Sequence, residues 1–383
     1  MNIPSEFDEI RPYQPEEMAA AFDRLLADPQ FCGILQSLFK GVPLDVLRQQ
    51  LGTCKDTLDF QKKFIYAIVR KILTDHSDSC DMDASALPDR SANYTFISNH
   101  RDIVLDAAIL DVLLVDNGFT TTVEIAIGDN LLIQPWIETL VKLNKSFIVR
   151  RSPGLREMLQ SSLLMSRYMH FAIAHKHENL WIAQREGRAK DSDDRTQESV
   201  LKMLAMGGEG GPLESLRQLH LVPLAISYEF DPCDYLKAKE FQQKRDNPDF
   251  RKSKADDMLN MHTGITGYKG RVHYEPAPCA DTWLDEYAAL PKAQLFGAVA
   301  ARIDREIHSR YRLYPNNYLA ADWLEGTSRF SDRYTPQDAD RFERYLAAQM
   351  DKIDLPDKDI AYLRERILTM YANPLKNQLK ARE

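Results

Sequence analysis

His100, Arg101, Asp102 and Asp106 crowd into a short stretch directly after a β-prone run, residues 94–97, which ends in polar Ser98 and Asn99. Histidine is the side chain whose ordinary pKa best suits it to take and return a proton near neutral pH. A neighbouring carboxylate fixes its tautomer and stabilises the imidazolium, so Asp106 or Asp102 is a candidate orienter for a base at His100. The same residues also have a plainer use. Asp102 is a good N-cap for the apolar helix expected from Ile103, and a loop histidine with a satisfied hydrogen bond needs no role in chemistry. A protein kinase catalytic loop is excluded: Ala107 stands where its asparagine belongs, and neither Asp-Phe-Gly nor a glycine-rich nucleotide loop occurs.

Two further clusters carry charge. Arg150 and Arg151 follow the short run at 146–149, and Glu186, Gly187, Arg188 and Lys190 follow the run at 180–183. Guanidinium forks grip a phosphate bidentately, a lysine adds a point charge, and a glycine lets the backbone approach a ligand closely. Each cluster alone is also what an ordinary solvated surface turn looks like.

The elements that must position these groups alternate. Strand-like runs at 94–97, 121–127, 146–149, 180–183 and 219–228 are separated by helical patterns at 103–115, 131–143 and 155–175, and the segment 264–278 holds one more strand. Repeated βα units with short connections imply an α/β fold, a mostly parallel sheet covered by helices. Ligands of such sheets bind outside the carboxyl ends of the strands, and all three clusters follow such ends, so three separate segments are expected to converge on one crevice.

Around this core, residues 1–90 read as an N-terminal helical domain with apolar residues at three and four spacing, such as Met18, Ala21, Phe22 and Leu25. The polar stretch 75–89 reads as a linker, 91–280 as the α/β domain, and 281–383 as C-terminal helices packed on it. From 237 to 254, seven basic residues face three acidic ones. A solvated helix or loop face explains that run more simply than a docking patch for an acidic carrier protein or lipid headgroups.

Composition narrows the function classes. The 383 residues are 44% hydrophobic and 28% charged, ordinary for a folded chain with a large core. A net charge of −8 argues against a general nucleic-acid binder. Cys32, Cys54, Cys80, Cys233 and Cys279 form no Cys-x-x-Cys pair, which reads as reduced thiols in a cytoplasmic protein, without zinc or disulfides. No apolar signal core opens the sequence, and no apolar run reaches the roughly 18 residues of a spanning helix. Membrane contact would be peripheral.

With these blocks in order, the sequence resembles the glycerophospholipid acyltransferase superfamily, which includes glycerol-3-phosphate and lysophosphatidic acid acyltransferases. The family's His-x4-Asp block is similar to the segment from Asn99-His100-Arg101 to Asp106. Its Phe-x-x-Arg block looks like Phe147-Ile148-Val149-Arg150-Arg151, its Glu-Gly-Arg block like Ile182 to Arg188, and its proline-bearing strand like Leu221-Val222-Pro223-Leu224. The family's aspartate falls at position 105, where this chain has Leu105, so a turn longer by one residue would bring Asp106 rather than Asp102 to the role.

The resemblance implies that His100 takes the proton of an acceptor hydroxyl while Asp106 orients it, and the alkoxide attacks an acyl thioester. The donor would be acyl-CoA or an acyl carrier protein, acting as co-substrate with no further cofactor and no metal. Arg150, Arg151, Arg188 and Lys190 would hold the phosphate of glycerol-3-phosphate or lysophosphatidic acid, with Glu186 and Gly187 shaping the turn. This would be a step of phospholipid biosynthesis, cytoplasmic or peripheral on the inner face of the membrane. The alternatives are another acceptor, such as an amino-acid lipid, and a non-catalytic lipid- or carrier-binding module.

Overall fold

The computed structural model describes residues 2–39, 41–150 and 154–383. It opens with helices α1 (Pro15–Ala27), α2 (Pro29–Leu38), α3 (Leu44–Leu51) and α4 (Thr57–Phe60), a π-helical turn Gln61–Ile65, and α5 (Tyr66–His76). The middle of the chain continues as β1 (Ser79–Met82), β2 (Thr95–Ser98), α6 (Leu105–Asp116), β3 (Val123–Gly128), α7 (Pro135–Leu143), β4 (Ser146–Val149), α8 (Leu155–Phe171) and β5 (Asn179–Ala183). Helices α9 (Glu198–Leu204) and α10 (Pro212–Arg217) lead to β6 (Leu221–Tyr228), α11 (Asp234–Asp246), α12 (Lys254–Thr266) and β7 (Arg271–Pro276). Four long helices close the chain: α13 (Lys292–Ser309), α14 (Pro315–Glu325), α15 (Pro336–Asp351) and α16 (Ile360–Arg382).

The strands form one seven-stranded sheet in the order β1-β7-β6-β2-β5-β3-β4. Every pairing is parallel except β6 with β7. The fold is therefore α/β with a mostly parallel sheet, and β2 lies at its centre. Helix α6 is apolar around nearly its whole circumference and buried from Leu105 to Leu114, as a helix must be when it packs between a sheet and further helices. It shares one core with α5 and that face of the sheet, through residues such as Val69, Phe96, Leu110 and Trp181. The other face is covered by α8, α9 and α13, through Ile97, Tyr168, Leu201 and Ile303. Helices α1 to α3 gather a further cluster with Leu143 of α7, and α14 to α16 another around Phe342 and Leu363, which takes in Phe230 and Ala238.

Three expectations need correction. The stretch 75–89 is not a plain linker: Ser79–Met82 is an edge strand in register with Arg271–Tyr274 of β7. The helix expected from Leu131 starts at Pro135, preceded by a 3-10 turn at Asp129–Leu131, because proline suits the first helical position and disfavours helical backbone just before it. Helix α8 does not reach His175 as α-helix; it widens into a π-helical turn, Ala172–Lys176, and stops at His177 in the left-handed conformation.

The basic run at 237–254 forms α11 and the start of α12, and much of its charge is already neutralised. Lys237 is buried against Asp231, Lys244 pairs with Glu240, Arg245 with Asp246 and Asp359, and Lys252 with Asp257. No helix among the described residues is long and apolar enough to cross a membrane.

Candidate active site

Strand β2 ends at Ser98, and the chain leaving it is locked before it reaches His100. The Asn99 amide bonds both backbone groups of Ile226 in β6, accepting from its N–H (2.8 Å) and donating to its carbonyl (2.9 Å). Ser98 Oγ accepts from the Trp181 indole of β5 (3.0 Å). His100 thus leaves the central strand from a point fixed to both neighbours.

The histidine is oriented by Asp106. Its Nδ1 lies 2.8 Å from Asp106 Oδ2, and the same oxygen accepts the backbone N–H groups of Arg101 (2.6 Å) and Asp102 (3.0 Å). A carboxylate accepts, so Nδ1 is the ring nitrogen that donates to Asp106, and in the neutral form of the ring Nε2 holds the lone pair. Asp106 is inaccessible to solvent, whereas the His100 side chain keeps 13% of its exposure. The edge of the His100 ring rests on Trp181, with 5.6 Å between centroids. This arrangement supplies an imidazole of fixed orientation with Nε2 left for a ligand.

Asp102 does another job. Its Oδ1 accepts from Val104 N and Leu105 N, both at 2.8 Å, so it caps the entry into α6. Burial, and then the charge of Asp106, pushes the Asp102 carboxyl up, against the opposing pull of the Leu105 and Val104 N–H groups. Helix α12 lies directly on this carboxylate. A Cβ added to Gly264 would run into Asp102 Oδ2. Only glycine lets α12 approach the His100 loop so closely.

The turn after β5 belongs to the same site. Gln184 N bonds Ser98 O (2.8 Å), which seats residues 184–190 beside the His100 loop. The Arg101 guanidinium is buried, bonds Ser192 Oγ (2.5 Å) and forms an ion pair with buried Asp194, so the two loops are stitched together. Arg188 reaches back, donating to Arg101 O (3.5 Å) and to Asn260 Oδ1 of α12 (3.1 Å). Gly187 takes a φ of +67°, where a side chain would be strained, and Glu186 is exposed on the turn with its N–H on Gln197 Oε1 (2.8 Å). Lys190 is paired with Glu240 of α11; burial lowers the lysine, and Glu240 pulls it back only in part.

The second arginine cluster is elsewhere. Strand β4 is the outer edge of the sheet, three strands from β2, which is roughly 14 Å at normal strand spacing. Arg150 at its end is half-exposed and paired with Glu9 at 2.8 Å. The expected convergence of three segments therefore becomes a convergence of two, with Arg150 set apart. Arg151 lies outside the described residues.

Sequence reasoning passed over Trp181, Arg101 with Asp194, Gly264, and Arg185. The last carries a buried Nε with no hydrogen-bond partner, next to the Glu186–Gly187 turn. Its position inside a strand-end Gln-Arg-Glu-Gly-Arg run was the only available signal.

Fold and site together define a class: an α/β chain that raises a clamped His–Asp pair on the carboxyl end of its central parallel strand. No protein-family model matches the chain, and no curated protein matches it in sequence. Among solved structures, the 1-acyl-sn-glycerophosphate (LPA) acyltransferase PlsC from Thermotoga maritima is similar over 76% of this chain and 94% of its own, at 13% identity and a TM-score of 0.38.

Proposed function

We propose that the protein is an acyltransferase in which His100 is the general base. The observation that carries this reading is the His100–Asp106 pair. Asp106 Oδ2 accepts from the ring and from two backbone N–H groups, so the carboxylate is preset to stabilise an imidazolium without moving. His100 Nε2 takes the proton of an acceptor hydroxyl, and the oxygen attacks the carbonyl carbon of an acyl thioester. The C–S bond breaks as the tetrahedral intermediate collapses, and the imidazolium returns its proton to the departing thiolate. The products are an ester and a free thiol, with no acyl-enzyme.

For the acceptor we propose a phosphate-bearing alcohol of the glycerol-3-phosphate or lysophosphatidic acid type, and for the donor acyl-CoA or an acyl carrier protein. To that phosphate we assign Arg185 and Arg188, on the turn seated beside the His100 loop, with Glu186 and Gly187 shaping the turn. Lys190 and Arg150 sit in ion pairs with Glu240 and Glu9, which a ligand phosphate would have to displace. Arg151 stays in the proposal on its sequence alone.

The test is acceptor-dependent thiol release by the purified protein, with palmitoyl-CoA and palmitoyl acyl carrier protein offered against glycerol-3-phosphate and lysophosphatidic acid. His100→Ala is expected to lower turnover by at least about a hundredfold, the usual scale for a lost general base. Near-normal turnover in a folded His100→Ala protein would overturn the assignment.

A further inference from the structure

Another His–Asp pair lies at the opposite end of the sheet. His220 stands directly before β6, and its carbonyl accepts the Thr95 N–H at the start of β2 (3.2 Å). Cys279 and Asp281 follow β7, whose antiparallel course returns the chain to that end. His220 Nδ1 is 2.6 Å from Asp281 Oδ2, and one donor atom from each of His220, Cys279 and Asp281 lies within 4.8 Å of the other two. Asp281 Oδ1 is shielded from solvent and has no hydrogen-bond partner.

Both segments are held by their own backbone contacts. His220 adopts a left-handed φ of 48°, unusual for a residue with a Cβ, and its N–H bonds Arg217 O (3.0 Å). On the other side Ala277 N bonds Pro223 O (2.7 Å), and Cys279 O accepts both Thr282 N (3.1 Å) and Thr282 Oγ1 (2.8 Å). The convergence of the three donors does not depend on the side chains finding each other.

We propose that His220, Cys279 and Asp281 form a binding site for one divalent transition-metal ion of the zinc class. An imidazole nitrogen, a sulfur and a carboxylate oxygen suit a borderline-soft ion, whereas magnesium and calcium prefer oxygen alone. Two ligands about 2.0–2.3 Å from a shared tetrahedral ion stand roughly 3.5 Å apart, so side-chain shifts of about 1 Å close this set. Three protein ligands leave a fourth position for water. The site opens at the amino ends of β2 and β6, on the far side of the sheet from His100. The ion therefore ties the start of β6 to the chain leaving β7 and takes no part in chemistry at His100. The absence of any Cys-x-x-Cys spacing hid it from the sequence, because its ligands come from two distant segments.

The test uses the full chain, equilibrated with Zn²⁺ and dialysed. Elemental analysis is expected to find close to one equivalent bound in the wild type and its loss in Cys279→Ser. Loading with Co²⁺ should give a thiolate-to-cobalt charge-transfer band that Cys279→Ser lacks. Should that variant fail to fold, wild-type protein suffices: Zn²⁺ should slow alkylation of Cys279 by iodoacetamide and leave Cys54, also half-buried, unaffected. Metal bound equally by Cys279→Ser, or no retained metal and no protection of Cys279, would overturn the site and leave an ion pair beside a thiol.

Discussion

The described residues hold three contacts between a histidine Nδ1 and an aspartate: His100–Asp106, His220–Asp281 and His273–Asp81. Their settings differ where it matters. Asp106 is wholly buried, while the Asp281 and Asp81 side chains are 29% and 52% exposed. The one wholly buried carboxylate accepts two backbone N–H groups besides the ring, follows a central parallel strand, and leaves the ring partly open. His273 inverts this: the ring is buried in β7 and its partner faces water. A His–Asp contact is therefore no signature of catalysis. What sets one pair apart is a carboxylate held by the backbone and a ring nitrogen left for a ligand.

The sharpest way to break that distinction is to neutralise two of these carboxylates. In Asp106→Asn the amide oxygen can take the place of Oδ2 among its three donors, so the fold survives, but the charge that stabilises an imidazolium is gone. Its NH2 group lands where Oδ1 has no partner, at a cost of about 1–3 kcal/mol. Turnover is expected to fall at least about a hundredfold, with circular dichroism unchanged. Asp81→Asn, at an exposed carboxylate, is expected to stay within about twofold of wild type. Equal effects in the two variants would dissolve the contrast.

A smaller effect tests whether the clamp depends on α12. Gly264→Ala drives a methyl group into the Asp102 carboxylate, which is buried and cannot swing away. Overpacking of this kind costs about 1–3 kcal/mol, and the strain passes to the loop carrying His100. A lower melting temperature together with an about tenfold loss of turnover is expected. Lost stability with full activity would show that the loop is set by β6 and Asp106 alone. Smaller still is Arg188→Lys, which keeps the charge but loses the fork that spans Arg101 O and Asn260. Its expected mark is a several-fold higher KM for the acceptor with little change in kcat.

These contrasts also show what the sequence could carry. Strands β2 to β6 were legible because each is a short β-prone run followed by a turn or an apolar helix. Strand β1 was not: Ser79–Met82 has the Ser and Asp content of a loop and becomes a strand only by pairing with β7, some 190 residues on. Local spacing put Asp102 and Asp106 both within reach of His100 but could not choose between them; the folded turn sets Asp106 on the ring and Asp102 on the backbone entering α6. Strand order is long-range information, so the alternation of strand and helix could not say that β4 would be an edge and Arg150 remote from His100. Trp181, Asp194 and Gly264 escaped for the same reason, because each touches the loop from 80 or more residues away in sequence.

The subtlest test concerns a second fully buried carboxylate, treated differently from Asp106. Asp234, at the start of α11, accepts hydrogen bonds from the Tyr345 and Tyr371 hydroxyls, both at 2.8 Å, and from the Gln349 amide. The Tyr235 N–H donates to it as well (2.6 Å), and none of the four donors carries a charge. Burial, and then the nearby charge of Asp231, raises its carboxyl to about 7 from the ordinary 3.8, against the pull of those hydrogen bonds. The folded chain therefore keeps a proton that the unfolded chain has released between about 4 and 7. Unfolding in that window releases a proton, so this residue's contribution to stability is full below about 4 and declines as pH rises through 7. Asp234→Asn cannot titrate, and the two hydroxyls can turn to accept from its amide. Its melting temperature, scanned from pH 4 to 8, is expected to fall less steeply than that of the wild type, so the two curves diverge toward the alkaline side. Parallel curves would mean that Asp234 stays ionised on its four donors, as a buried carboxylate can when hydrogen bonds alone offset its desolvation.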